Sequence, residues 1–124
     1  MSVSEIIKIF NDCFIYNSSL LKIKACKTIY KKAITLTNLI DMDENKMISD
    51  LKSSLYNNMA YLLFSTNKLS KAKEMFELSH YYCKSEIDSL VIQNNILKIS
   101  DSLKMSNYCK TKALSLLLSS TELL

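Results

Sequence analysis

Two neighbouring stretches decide the fold of this chain: residues 56–64, YNNMAYLLF, and residues 69–76, LSKAKEMF. Apolar residues recur in both at spacings of three and four, which is the period of an amphipathic helix. The short polar segment Thr66-Asn67-Lys68 between them predicts a tight turn. We therefore expect helices over residues 47–65 and 69–83 that form an antiparallel hairpin.

The sequence on either side repeats part of this pattern. Segments 10–14, 56–60 and 92–97 each hold an apolar residue, a polar pair rich in Asn, and then residues able to pack. The positions predicted to pack the second helix lie twelve residues after the end of each segment, then four residues further on, and then three more. They are Cys26, Tyr30 and Ala33 in the first unit, Ala72, Phe76 and Ser79 in the second, and Cys109, Ala113 and Leu116 in the third. Recurrence at one register indicates an internal repeat. Where the residue at such a position is small, the paired helices can approach closely.

The composition favours an all-α chain. There is no Gly and no Pro, whereas a β-rich domain of this size would need many tight turns that use Gly. We expect a single domain over residues 1–124, with six helices arranged as three antiparallel hairpins at about 3–40, 47–83 and 85–124. Ser18-Ser19 is the predicted turn of the first hairpin, so that the second helix covers about residues 20–40. An acidic linker follows at residues 41–46, and a break near Ser106 separates the fifth and sixth helices. Ser2 and Glu5 have the spacing of a capping box at the start of the first helix.

Residues 53–83 resemble a tetratricopeptide repeat (TPR) unit. The motif positions that this stretch fills are Tyr56, Met59, Ala60, Leu63, Ala72, Phe76 and Ser79. The flanking units are degenerate, since Phe14 stands where a small residue is expected, Ala113 stands where an aromatic belongs, and the terminal Pro is absent from all three. The resemblance implies a short right-handed TPR-like solenoid that binds another protein as an adaptor, scaffold or complex subunit, and that is not an enzyme.

The Asn pairs are the first candidate binding residues. In TPR proteins the first helices line a concave groove that holds an extended or helical peptide, and an Asn amide can both donate and accept a hydrogen bond. The resemblance places six polar residues in this groove: Asn11, Asp12, Asn57, Asn58, Asn94 and Asn95. The alternative interpretation is that these amides only join neighbouring helices.

The C-terminal helix is the second candidate surface. It is rich in Leu, and Leu114, Leu117 and Leu118 are the predicted docking residues. A helical repeat array normally ends in a polar capping helix, so this helix either fits all its Leu residues inward or packs against a partner protein or a second copy of the chain.

The lysines suggest a different partner. The net charge is +4, and all 16 basic residues are Lys. The second helix carries the densest basic patch, with Lys24, Lys27, Lys31 and Lys32 as candidate contacts to RNA phosphates or to an acidic partner. This pattern is typical either of a ribosome- or ribonucleoprotein-associated factor or of an ordinary solvated helix face.

No residue set in the sequence predicts catalysis, a metal or a cofactor. The four cysteines form no CxxC pair, and His80 is the only His. Residues 41–45 begin like a calcium loop, but Lys46 and Lys52 replace the Gly and the Glu that such a loop needs. No apolar run is long enough to cross a bilayer. We expect a soluble, cytoplasmic protein with free thiols in a reducing compartment.

Overall fold

Five α-helices make up the described part of the chain. The computed structural model describes the backbone of residues 2–39 and 46–123 and the side chains of residues 2–39 and 47–118. The helices are α1 (Val3–Ser19), α2 (Ile23–Asn38), α3 (Lys46–Ser65), α4 (Leu69–Tyr82) and α5 (Glu86–Leu123). The all-α prediction is confirmed for these residues, which contain no strand. The predicted linker and the calcium-like segment lie outside the described residues, apart from Lys46, which begins α3.

The ends of the helices follow from local chemistry. Ser2 caps α1, since its hydroxyl accepts a hydrogen bond of 3.3 Å from the Glu5 amide, as the capping-box spacing predicts. The predicted turn at residues 66–68 is also confirmed. Asn67 ends α3 there with a φ of 62°, in the left-handed region that Asn tolerates better than most residues.

The turn between α1 and α2 lies later than predicted. Ser18 and Ser19 belong to α1, and Leu20 and Leu21 form the turn. Leu21 takes a φ of 57°, and the Lys22 amide closes the turn by donating to the Asn17 carbonyl at 3.0 Å. Neither residue is a usual turn former, so the polar Ser pair gave a misleading signal.

The repeated small residues let the helices of each pair approach closely. Cys26 and Ala72 are fully buried in one apolar cluster that also contains Phe14 and Phe76. Ser53 on α3 and Ser79 on α4 are both buried. Each hydroxyl donates to the other residue's carbonyl at 2.8 Å, so that the backbones of α3 and α4 lie in direct contact. The predicted packing positions of the first two units are therefore confirmed as core.

The prediction of six helices is wrong, because the expected fifth and sixth helices form the single helix α5. It has 38 residues, or about 57 Å at 1.5 Å per residue, against about 21 Å for the 14 residues of α4. Ile92 and Ile99 bury the first half of α5 against the core. From Lys104 to Leu118 every side chain is exposed except the half-buried Ser106. Cys109 and Leu116 are therefore exposed, contrary to the prediction that they pack a third hairpin.

Candidate functional site

The predicted groove residues lie on α1, α3 and α5, the first helices of the three sequence units. Two of them join α1 to α3, since the Asn58 amide donates to Asn11 Oδ1 at 2.6 Å. A third joins α5 to α3, because the Asn95 amide donates to the Tyr61 hydroxyl at 2.8 Å. Asn58 and Asn95, which occupy the same register in the sequence, both reach from one first helix to the previous one.

Two clefts open between these helices. The first, of about 280 Å³, lies between α1 and α3. It is lined by Phe14, Ile15, Ser18, Ser19, Asn58 and Tyr61. The second, of about 270 Å³, lies mainly between α3 and α5. It is lined by Asp50, Ser53, Ser54, Asn57, Ser79, Cys83, Asp88, Val91 and Ile92.

Asn57 gives the second cleft an unpaired hydrogen-bond acceptor. Its Oδ1 is buried and has no hydrogen-bond partner. An unsatisfied buried acceptor costs roughly 1–3 kcal/mol, and a ligand amide or ammonium group could remove this cost. Asp50 and Asp88 line the same cleft, so its polar groups favour a donor-rich or cationic ligand.

Four of the six predicted groove residues line neither cleft. Asn11 and Asn95 bond to a neighbouring helix instead. Asp12 and Asn94 are exposed on α1 and α5. Conversely, sequence reasoning missed Tyr61, Asp50 and Asp88. Asp50 lies seven residues before Asn57, which is two helical turns and hence the same face of α3, so this spacing was a usable signal. Tyr61 packs its ring edge-on against Phe76, with 5.3 Å between the ring centres, while its hydroxyl accepts the hydrogen bond from Asn95.

The second half of α5 carries the predicted docking residues on its surface. Leu114, Leu117 and Leu118 are 59%, 66% and 59% exposed. The face of α5 that packs on the core through Ile92, Ile96, Ile99 and Leu103 continues, at the same spacings of three and four, through Ser106, Lys110, Ala113 and Leu117. This half of α5 thus repeats the spacing of a packing face, although it extends past the part of α5 that α4 packs against.

Three of the four predicted lysines on α2 have identified neighbours. Lys31 and Lys32 line an open apolar pocket with Phe10, Thr35 and Leu36. Lys27 instead lies beside Lys68, which precedes α4. The positive charge of Lys68 lowers the pKa of Lys27, with smaller effects from burial and from Lys71 and Lys31.

The single His connects two helices. Nε2 of His80 lies 2.9 Å from both the Ser89 hydroxyl and the Gln93 amide nitrogen, which ties the end of α4 to the start of α5. Cys83 donates to the Ser85 carbonyl in the connection between them. The side chains of His80 and Cys83 therefore each have a structural hydrogen-bond partner, and the Cys83 backbone amide donates to the His80 carbonyl at 3.2 Å.

The described residues contain neither a metal-binding group nor a membrane-spanning helix. Within residues 2–39 and 46–123 no group of His, Cys, Asp and Glu could hold a metal ion. In the same ranges no helix is both long and apolar enough to cross a bilayer. All four cysteines are free, and Cys26 and Cys83 are buried or half-buried while Cys13 and Cys109 are exposed.

Comparison with known proteins gives no match: no family model, no curated protein and no solved structure is similar to this chain. The function must therefore be argued from the residues and their arrangement.

Proposed function

We propose that this protein is a non-catalytic protein–protein interaction module of TPR-like type. It binds a peptide or helix in the groove formed by α1, α3 and α5, and it docks onto a partner through the second half of α5. The observation that carries the proposal is the row of exposed Leu residues on a helix that extends past the core.

The exposed half of α5 lacks the stability that packing gives to a helix. An isolated helix of this length is only marginally stable in water, because most helical stability in proteins comes from packing an apolar face. Full burial of a Leu side chain is worth roughly 1.5–3 kcal/mol. Burying Leu114, Leu117 and Leu118 against a partner would therefore supply several kcal/mol and stabilise this half of α5.

Charge favours an acidic partner helix over a second copy of the chain. Residues 98–118 contain four lysines, Lys98, Lys104, Lys110 and Lys112, and one acidic residue, Asp101. Lys110 lies on the same face as Leu103, Ala113 and Leu117. Pairing two copies along this face would bring like charges together, whereas an amphipathic helix with Asp or Glu beside its apolar face would match both the Leu residues and the lysines.

The groove has its own supporting feature. The unpaired Asn57 acceptor in the α3–α5 cleft fits a donor from a bound segment, such as a backbone amide or a Lys side chain, and Asp50 and Asp88 complement a positive charge there. The groove and the α5 surface would then recognise different parts of a partner, or two partners.

The decisive experiment isolates a partner from the cells that express this chain and measures its affinity for purified variants. Replacing Leu114 and Leu118 with Ser should weaken binding at least tenfold and leave thermal stability unchanged, because neither side chain packs on the core. The matched control replaces Ile87 and Leu97, which are somewhat more exposed and lie on the supported half of α5, and should leave affinity within about twofold.

Three results would contradict the proposal. One is equal affinity of the Leu114/Leu118 variant and the wild type. Another is cooperative unfolding of that variant, which would make these residues core. The third is self-association of the purified chain that the same substitutions abolish, which would identify a second copy as the occupant. A separate arm, Asn57→Ala, tests the groove and should weaken binding of the groove ligand without loss of stability.

A further inference from the structure

Helices α2 and α4 meet at a side-chain contact in the core. The Tyr30 hydroxyl on α2 donates to the Met75 sulfur on α4 at 3.5 Å. One turn earlier, Cys26 and Ala72 are fully buried in the same apolar cluster. The first halves of the two helices therefore pack into the same part of the core.

This packing brings lysines from separate parts of the chain together. Lys27 lies three residues before Tyr30, while Lys71 and Lys68 lie four and seven residues before Met75. The lowered pKa of Lys27 reports the same proximity, since every charged group that acts on it is a lysine: Lys68 first, then Lys71 and Lys31. Like charges from α2 and α4 are thus concentrated on one part of the surface.

Carboxylates that could neutralise this cluster are missing from α2. The sequence contains no Asp or Glu between residues 13 and 40. Among the described side chains one ion pair is observed, in which Lys73 Nζ lies 4.0 Å from Glu77 Oε1, and both residues belong to α4. The lysines of α2 therefore present uncompensated charge.

The start of α4 adds to the positive potential. Lys68 is its N-cap and makes no side-chain capping bond, and the first turn holds no acidic residue. Unbonded amides and the helix dipole favour an anion at such an end. This contribution supports the lysine cluster.

We propose that Lys24, Lys27, Lys31, Lys68 and Lys71 form a contact surface for the phosphate backbone of a nucleic acid. Lys24, Lys27 and Lys31 follow one side of α2 at spacings of three and four, over about 10 Å. Lys68 and Lys71 widen this row across to α4. This surface does not depend on the groove or on the Leu residues of α5.

The chemistry of the surface favours phosphates without base recognition. Lys offers a point charge that suits phosphate oxygens, whereas specific base contacts commonly use Arg, and the chain has none. Because Lys27 and Lys68 are close enough for their charges to interact, one anion can accept from both, as a phosphate group with its several oxygens does. A row of five ammonium groups exceeds what a single phosphate needs and fits a chain of them.

The test measures binding of the full chain to a labelled RNA oligonucleotide at several salt concentrations. Replacing Lys27, Lys68 and Lys71 with Gln should lower affinity at least tenfold at low salt. It should also reduce the slope of log affinity against log salt by about 2, since each lost phosphate contact removes roughly 0.7–0.9 from that slope. Lys8, Lys73 and Lys84, which lie outside this surface and outside the α5 surface, form a matched control set and should change affinity less than threefold.

The possible outcomes separate the surface from its alternatives. An equal loss in the two variants would mean attraction by net charge alone and would overturn the proposal. Competition by polyglutamate as strong as that by unlabelled RNA of equal charge would assign the surface to an acidic protein instead. Absence of RNA binding by the wild type at low salt would also reject it.

A second readout examines the cluster without nucleic acid. Because Lys68 repels Lys27, the Lys27→Gln variant should melt at a higher temperature than the wild type at low salt, and added salt should remove the difference. A lower melting temperature at every salt concentration would show that Lys27 has a structural role, which would contradict the model of uncompensated repulsion.

Discussion

The first four helices and α5 share one sequence pattern but use it differently. In α1–α4 the small residues at the repeat positions are buried and pair the helices, as Cys26, Ala33, Ala72 and Ser79 show, each with no exposed surface. In α5 the corresponding Cys109 and Leu116 are exposed. A repeat register therefore marks a packing face, but it does not create the turn that brings a second helix onto that face.

The turns themselves explain the difference. At the end of α3 the Thr66 hydroxyl lies within 3.2 Å of the Leu62 and Leu63 carbonyls, and Asn67 takes a left-handed conformation. In α5 the polar residues bond within the helix instead. Ser102 donates to the Lys98 carbonyl at 3.1 Å and Thr111 to the Asn107 carbonyl at 3.0 Å. With no Gly or Pro to stop it, the helix continues.

The largest expected effect comes from removing an apolar side chain from each region. Phe76→Ala should lower the free energy of unfolding by about 3–5 kcal/mol, because it leaves a cavity in the core. Leu114→Ala, on the exposed half of α5, should change it by less than about 0.5 kcal/mol. Urea titration followed by circular dichroism measures both. Similar losses in the two variants would mean that α5 unfolds with the core and that the two regions are not distinct.

A smaller effect is expected from the serines. Ser79→Ala removes a reciprocal pair of buried hydrogen bonds and leaves Ser53 without them, so it should cost about 1–3 kcal/mol. Ser102→Ala removes a bond made within α5 to the previous turn, and the expected change is near zero. If Ser79→Ala proved neutral in the same titration, close approach of the backbones alone would hold α3 against α4.

The smallest expected effect concerns alkaline pH. Burial, and then the charge of Tyr56, raise the pKa of Tyr30 to about 12, from 10 in the unfolded chain. Between pH 10 and 12 the unfolded chain loses this proton while the folded chain keeps it. The stability it contributes is therefore complete below pH 10 and falls as the pH rises, by at most about 1.4 kcal/mol per pH unit for one group.

Replacing Tyr30 tests this dependence. The Tyr30→Phe variant should show a shallower loss of stability between pH 10 and 12, measured by urea titration at each pH. Some loss should persist, because burial and Tyr82 also raise the pKa of Tyr56. Tyr108→Phe on the exposed half of α5 is the matched control and should follow the wild-type curve. A Tyr30 variant with the wild-type slope would show that this hydroxyl ionises equally in both states.

The part of the fold that could be predicted from sequence is the part where local and tertiary signals agree. Residues 56–64 and 69–76 have a helical period, a turn between them with Asn at the left-handed position, and small residues where the helices meet. The end of α1 was missed because its turn uses Leu21 with a positive φ, and nothing in a Leu side chain predicts that conformation.

The candidate sites divide in the same way. The recurrence of Asn at one register predicted residues on one set of helices, and Asn58 and Asn95 do lie there. It could not predict that Asn58 would bond to Asn11 and Asn95 to Tyr61, because those partners depend on how far apart the helices lie. The proximity of Lys27 and Lys68 could not be predicted from sequence either, since the two residues come together only through the packing of α2 and α4 in the folded chain.

The length of α5 has a consequence for what this chain can hold. Its exposed half carries Leu114 and Leu118 about 23 and 29 Å of helix beyond the buried Ile99, while the clefts lie beside α3. Ligands at the two ends would not collide, and a target with two suitable segments could engage both at once. Each segment would then raise the effective concentration of the other, so that two weak contacts on a chain of 124 residues could give tight and easily reversible attachment.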